Sequence, residues 1–224
     1  MENKIIVFQG DSITDCNRER DNADHLGYGY PAITMSHLSV EEPYCYKCYN
    51  RGISGNRVVD VYSRIKCDII NLKPDYLSIL VGVNDVWHEL EVQNGIAADK
   101  FEMIYGLMIE ELLHALPNLK IMLLEPFVLP GSATQSDDDP SRWQYFRAEI
   151  DLRRQAVKRL SEKYNLVFVP LQDLFSVAEE SAPCEAYWLI DGVHPTPAGH
   201  ELLKRAWLDA FHKSVIHKRT TNHV

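Results

Sequence analysis

Apolar positions follow two rhythms along this chain. Short continuous apolar runs recur at residues 4–9, 75–81, 119–125 and 166–169, with cores IIVF, LSIL, IMLL and VFV. Runs of this length without polar alternation predict strands covered on both faces, as in a parallel sheet. Residues 44–50, rich in tyrosine and bounded by Pro43 and Asn50, predict a fifth strand. Helical spacing fills the gaps. Asp99 stands where it would cap a helix reaching about His114, with Phe101, Ile104, Leu107, Met108, Leu112 and Leu113 as its apolar stripe. Residues 141–164 space Phe146, Ile150, Val157 and Leu160 in the same way. Thr196 and Pro197 mark the cap and first turn of a last helix carrying Leu202, Leu203, Ala206, Trp207 and Phe211.

Strand alternating with helix predicts a three-layer α/β architecture with a mainly parallel sheet and right-handed crossovers. The sequence has no internal repeat and no linker, so residues 1–224 read as one domain, with a core over about 4–211 and a polar, fraying tail over 213–224. Residues 131–140, with the run Asp137-Asp138-Asp139, read as a solvated loop.

Composition narrows the class. Hydrophobic residues make up 46% and charged residues 25% of the 224, which suits a packed globular protein rather than a disordered or fibrous one. With 32 acidic against 23 basic side chains the net charge is −9, so neither a nucleic acid nor an anionic membrane is an expected partner. No apolar run approaches the roughly 18 residues a membrane span needs. The opening Met1-Glu2-Asn3-Lys4 begins no signal peptide, and the expected location is cytoplasmic. Among the five cysteines, Cys45 and Cys48 form a C-x-x-C, but inside a strand residues three apart point to opposite faces. No second ligand pair stands at suitable spacing, and His88, His114 and His200 have no partner carboxylate at metal-site spacing, so no metal and no cofactor are expected.

In parallel α/β sheets ligands bind beyond the carboxyl ends of the strands. Three of the predicted strands run directly into chemistry-bearing blocks: Gly10-Asp11-Ser12-Ile13-Thr14, Asn50-Arg51-Gly52-Ile53-Ser54-Gly55 and Gly82-Val83-Asn84-Asp85. A fourth block, Asp191-Gly192-Val193-His194-Pro195, precedes the last helix. Taken singly, each is an ordinary turn or cap. Taken together, they supply a serine nucleophile, an imidazole to accept its proton and a carboxylate to orient that imidazole: Ser12, His194 and Asp191. The backbone N–H groups of Ser12 and Gly52 and the amide of Asn84 are candidate donors to an oxyanion. Trp87 and Trp188 flank these blocks as candidate substrate-binding walls, and Asp11 joins them as a neighbour of the nucleophile that orients the loop. Gly27-Tyr28-Gly29-Tyr30-Pro31-Ala32 imitates a dinucleotide loop, but it follows no strand. The absence of a G-x-S-x-G motif disfavours the nucleophile elbow of the α/β-hydrolases.

The four blocks resemble those of the SGNH (GDSL-type) hydrolase superfamily, whose Ser, Gly, Asn and His fall here on Ser12, Gly52, Asn84 and His194, with Asp191 three residues before the histidine. Ile13 stands where the family name has leucine. The segments from Gly10 to Cys16, Arg51 to Asn56 and Asn84 to Trp87 are most similar to bacterial carbohydrate acetylesterases, in particular intracellular acetyl-xylooligosaccharide esterases. The resemblance implies a flavodoxin-like α/β/α fold with strand order 2-1-3-4-5, a metal-free Ser-His-Asp mechanism, an acetylated oligosaccharide as the small-molecule ester substrate, and a homo-oligomer. A lysophospholipase, thioesterase or aryl esterase of the same superfamily is the alternative, and a non-catalytic ligand-binding module is a third.

Overall fold

The computed structural model describes residues 3–219. In chain order it contains β1 (Lys4–Gly10), α1 (Ser12–Asp15), α2 (Tyr30–Glu41), β2 (Tyr46–Asn50), α3 (Val58–Tyr62), α4 (Ile65–Asp68) and β3 (Tyr76–Leu80). These are followed by α5 (Val83–Val92), α6 (Ala98–Ala115), β4 (Lys120–Leu124), α7 (Arg142–Lys163), β5 (Val167–Val169), α8 (Gln172–Glu180) and α9 (Pro197–Arg219). The five strands pair in the order β2-β1-β3-β4-β5, and every pairing is parallel. This is the expected flavodoxin-like order.

The central strands β1, β3 and β4 are mainly apolar because both faces of the sheet are covered there, whereas the edge strand β2 (YKCYN) exposes Lys47. Ile6 and Phe8 join one core with Met122, Leu124, Trp207 and Phe211. Val7, between them in sequence, joins the other with Leu77, Ile79, Ile121 and Leu123. The period of two therefore sorts one strand's residues into two cores. The first core packs under α2 and α9; the second lies under α3 and α6 and takes in the C-terminal half of α7.

Several expectations are corrected at the level of single residues. Asp99 does not cap α6: Ala97 occupies that position, and Asp99 sits in the first turn, where its charge favours the positive end of the helix dipole. Leu107 is 46% exposed, because the buried face of α6 runs through Phe101, Tyr105, Met108, Ile109 and Leu112 and so recruits a tyrosine that a purely aliphatic stripe omits. The tail does not begin at residue 213, since α9 continues to Arg219; residues 220–224 lie outside the described residues. Cys45 is exposed and Cys48 buried, in keeping with the opposed faces of an extended chain. Residues 131–140 divide. Asp137, Asp138 and Asp139 are exposed, whereas Thr134 is fully buried and donates to Leu129 O at 2.7 Å.

Candidate active site

β1 ends at Gly10, and the chain turns at once into α1, so Ser12 is presented at the carboxyl edge of the central strands. The turn is held by Asp11, whose Oδ1 accepts the Ile13 N–H at 3.0 Å as an N-cap. Asp11 is 1% exposed, and its carboxyl group holds the backbone of the nucleophile turn. Burial pushes its pKa up to about 7, against the opposing pull of the Ile13 N–H and of His194.

Asp191 and His194 lie in a tight reversal between Trp188 and Thr196. Leu189 and Pro195 form an antiparallel bridge, Ile190 N–H donates to His194 O at 2.7 Å, and Thr196 N–H donates to Trp188 O at 2.9 Å. Gly192, at φ 91°, makes the corner. Inside this loop Asp191 Oδ1 accepts the N–H groups of Val193 (2.9 Å) and His194 (2.8 Å), while Oδ2 meets His194 Nδ1 at 2.7 Å. The other ring nitrogen, Nε2, stands 2.9 Å from Ser12 Oγ.

The charges fix the direction of these bonds. Partial burial alone would raise the Asp191 pKa, but the hydrogen bonds from His194 and Val193 outweigh it and bring the carboxyl down to about 2. A carboxylate ionised at neutral pH only accepts, so the neutral ring carries its proton on Nδ1 and leaves Nε2 free to accept from Ser12. The same bond to Asp191 raises the His194 pKa above the ordinary imidazole value, with burial opposing.

The three donor candidates differ. Asn84, 5% exposed in the first turn of α5, gives one amide hydrogen to Asn56 O at 3.1 Å, which ties the third block to the second. The Ser12 N–H is at the start of α1. The Gly52 N–H is engaged within the protein: it donates to Asn50 Oδ1 at 2.9 Å. Glycine is required there by close approach, because a Cβ would lie 2.4 Å from the Asp15 N. Sequence reasoning gave no role to two residues that join these blocks. Asn50, 1% exposed at the end of β2, also donates to Thr14 O (2.6 Å) and Leu26 O (2.8 Å). Asp15 accepts the Ser54 N–H at 2.9 Å and pairs with Arg20 at 3.2 Å. The available signal was position: Asn50 opens the second block, and Asp15 directly follows the first.

Next to Ser12 and His194 lies a cavity of about 280 Å³ to which Asp15, Cys16, Asn17, Ser54, Ile190 and His200 also contribute. Trp87 packs with its ring centroid 5.8 Å from that of His194. Trp188 is corrected to a structural role: its indole N–H donates to Ala178 O at 3.0 Å and it packs on the first core, while Ile190, 61% exposed, reaches the cavity instead. A larger groove of about 980 Å³ runs between β5 and α9 and contains none of the four blocks. Among the described residues no three His, Cys, Asp or Glu side chains gather as a metal set, and no helix is long and apolar enough to cross a membrane.

Comparison with known proteins gives the family of the chain. The GDSL-like lipase/acylhydrolase family matches residues 8–202. An acetylxylan esterase of Geobacillus stearothermophilus is 35% identical over 214 residues, covering 91% of each chain. Among solved structures, a protein of Parabacteroides merdae described as a GDSL-like lipase superposes with a TM-score of 0.85 at 38% identity, covering 93% of this chain and 95% of its own. A catalytic serine-to-alanine mutant of the Geobacillus stearothermophilus acetylxylan esterase gives 0.80 at 32%, covering 94% and 96%. Fold and site thus define a carboxylic ester hydrolase. The chain belongs to the GDSL-like lipase/acylhydrolase family.

Proposed function

We propose that this protein removes acetyl groups from short carbohydrate esters, xylooligosaccharides being the favoured backbone, through a covalent acyl-enzyme on Ser12. The observation that carries the reading is the unbroken row Ser12 Oγ, His194 Nε2, His194 Nδ1, Asp191 Oδ2, with contacts of 2.9 and 2.7 Å. Ser12 Oγ attacks the acetyl carbonyl as His194 Nε2 takes its proton, and Asp191 stabilises the imidazolium that results. The carbonyl oxygen, now an oxyanion, is held by the Ser12 N–H and the second amide hydrogen of Asn84. Gly52 N–H joins them by sharing its hydrogen between Asn50 and the oxyanion. The imidazolium returns its proton to the departing sugar oxygen. A water, deprotonated by the same nitrogen, then releases acetate and restores Ser12.

The sugar assignment is supported by the family and by the acetylxylan and acetyl-xylooligosaccharide esterases among the relatives, three of whose solved mutants replace a serine, an aspartate and a histidine described as catalytic. The reading also includes a single domain acting in the cytoplasm as a homo-oligomer, on the resemblance to intracellular esterases alone. It needs no cofactor, metal, nucleic acid or membrane. The test is a panel of acetylated xylooligosaccharides, p-nitrophenyl acetate, a lysophospholipid and an acyl thioester. Highest kcat/KM on the acetylated sugar supports the reading; preference for the lysophospholipid or thioester transfers the protein to that activity.

A further inference from the structure

The lining of the cavity beside Ser12 is of two kinds. Asp15, Asn17 and Ser54 are polar, and Ser54 N–H donates to the Asp15 carboxylate. Ile13, Cys16, Ile190, Pro195 and His200 complete it. Among these, two side chains meet each other. His200 is 5% exposed and its Nδ1 accepts the Tyr30 N–H at 3.1 Å, so the proton of the neutral ring is on Nε2, which faces the Cys16 sulfur at 3.5 Å. Burial, with His194 nearby, lowers the His200 pKa to about 4, and the ring is therefore neutral at physiological pH. Burial likewise raises the Cys16 thiol, which makes it a small polarisable surface rather than a nucleophile.

The rest of the chain is shaped around this pair. A Cβ on Gly29 would lie 2.7 Å from His200 Cε1 and 2.9 Å from Cys16 Cβ. The Gly27-Tyr28-Gly29 stretch that imitates a nucleotide loop is thus, at Gly29, the place where backbone leaves room for an imidazole and a thiol. Cys16 closes the turn that Ser12 opens, its N–H donating to Ser12 O at 3.0 Å. Cys16 itself is the left-handed C-cap of α1, at φ 39°, and lines the same cavity as Ser12 and His194.

We infer that Cys16, seated on His200, sets the length of the acyl chain this site accepts. The inference rests on the esterase reading above. With the carbonyl oxygen toward Asn84 and the carbonyl carbon at Ser12 Oγ, acyl chain and sugar leave the reacting carbon in different directions. Sugar hydroxyls find partners at Asn17 and Ser54; the acyl methyl meets the less polar lining, where the Cys16 sulfur is its end wall.

The experiment is kcat/KM on p-nitrophenyl acetate, butyrate and hexanoate for the wild type, Cys16→Ala, Cys16→Met and His200→Asn, with folding checked by circular dichroism. Removing a methyl-sized group from an apolar wall changes discrimination by about tenfold or more, so Cys16→Ala should raise the butyrate-to-acetate ratio by that factor. Cys16→Met should lower the ratio. His200→Asn keeps an acceptor for the Tyr30 N–H but withdraws the ring edge behind the sulfur, and should raise the ratio as well. A ratio within about threefold of wild type in Cys16→Ala, or a proportional loss on all three esters, overturns the inference and leaves the pair as support for the Ser12 turn. A wild type inactive on all three esters fails the esterase reading itself.

Discussion

Gly131 packs directly against the backbone of Asp191: a Cβ at position 131 would lie 2.4 Å from the Asp191 carbonyl carbon. The contact belongs to a buttress in which Leu129 N–H donates to Gly192 O and Ala133 N–H to Asp191 O, both at 2.9 Å. The loop after β4 therefore fixes the carboxylate that orients His194. Backbone cannot swing aside as a side chain can, so Gly131→Ala should cost about 1–3 kcal/mol of stability by overpacking. Misplacing the row by about 1 Å should lower kcat by about 10². Thermal unfolding and p-nitrophenyl acetate turnover, measured together, check both; a variant with wild-type kcat would show that the buttress does not position Asp191.

The bond between Asp191 and His194 also determines the acid limb of the pH profile. In the proposed mechanism His194 must be neutral to accept the Ser12 proton, and Asp191 raises its pKa above the ordinary imidazole value. Activity should therefore fall as pH drops through a value above 6.5. In Asp191→Asn that lift is gone, so the limb should move to lower pH, while the plateau falls by about 10⁴ because Nδ1 loses the acceptor that fixes its tautomer. An unmoved limb in the variant would assign the titration to another group.

Asp11 gives stability a separate pH dependence. Its folded pKa of about 7 lies above the 3.8 of an exposed aspartate, so between these values the native state binds the extra proton. Stability from this group is present below about pH 4 and is lost as pH rises through 7. Asp11→Asn keeps an oxygen for the Ile13 N–H and cannot ionise. Its Tm relative to wild type should therefore be higher at pH 8 than at pH 4.5; a difference constant across pH would place the burial cost elsewhere.

Much of this was legible in the sequence, for identifiable reasons. Strands covered on both faces must be apolar throughout, so β1, β3 and β4 announce themselves by composition. Ser12, Asn84, Asp191 and His194 stand at strand ends or before a capped helix, where sequence already marks the edge of the sheet. Trp188 was misplaced because a large aromatic near a block serves equally as wall or packing, and only its bond to Ala178 O decides. The roles of Asn50 and of the Cys16–His200 pair were invisible for another reason. The partners of Asn50 include Leu26 and Thr14, and His200 meets Cys16 across most of the chain, so their roles exist only after the sheet has closed.

Asn50 carries its own consequence. One buried side chain holds Thr14 O, Leu26 O and the Gly52 N–H, and so fastens the nucleophile turn to the second block. Asn50→Ala should destabilise the fold by about 1–3 kcal/mol or more, the cost of stranding buried polar groups. Denaturant unfolding measures it, and a change below about 0.5 kcal/mol would mean that water replaces the amide.

In the proposed mechanism Ser12 becomes covalently acylated with His194 as its base. That step is tested most directly by mass spectrometry of protein treated with a serine-directed organophosphonate, run beside p-nitrophenyl acetate turnover for wild type and Ser12→Ala. One phosphonyl adduct should form, on the peptide holding Ser12, with label and all but about a per cent or less of turnover lost in Ser12→Ala. An adduct on a different residue, or a Ser12→Ala protein that still turns over at near wild-type rate, would contradict it.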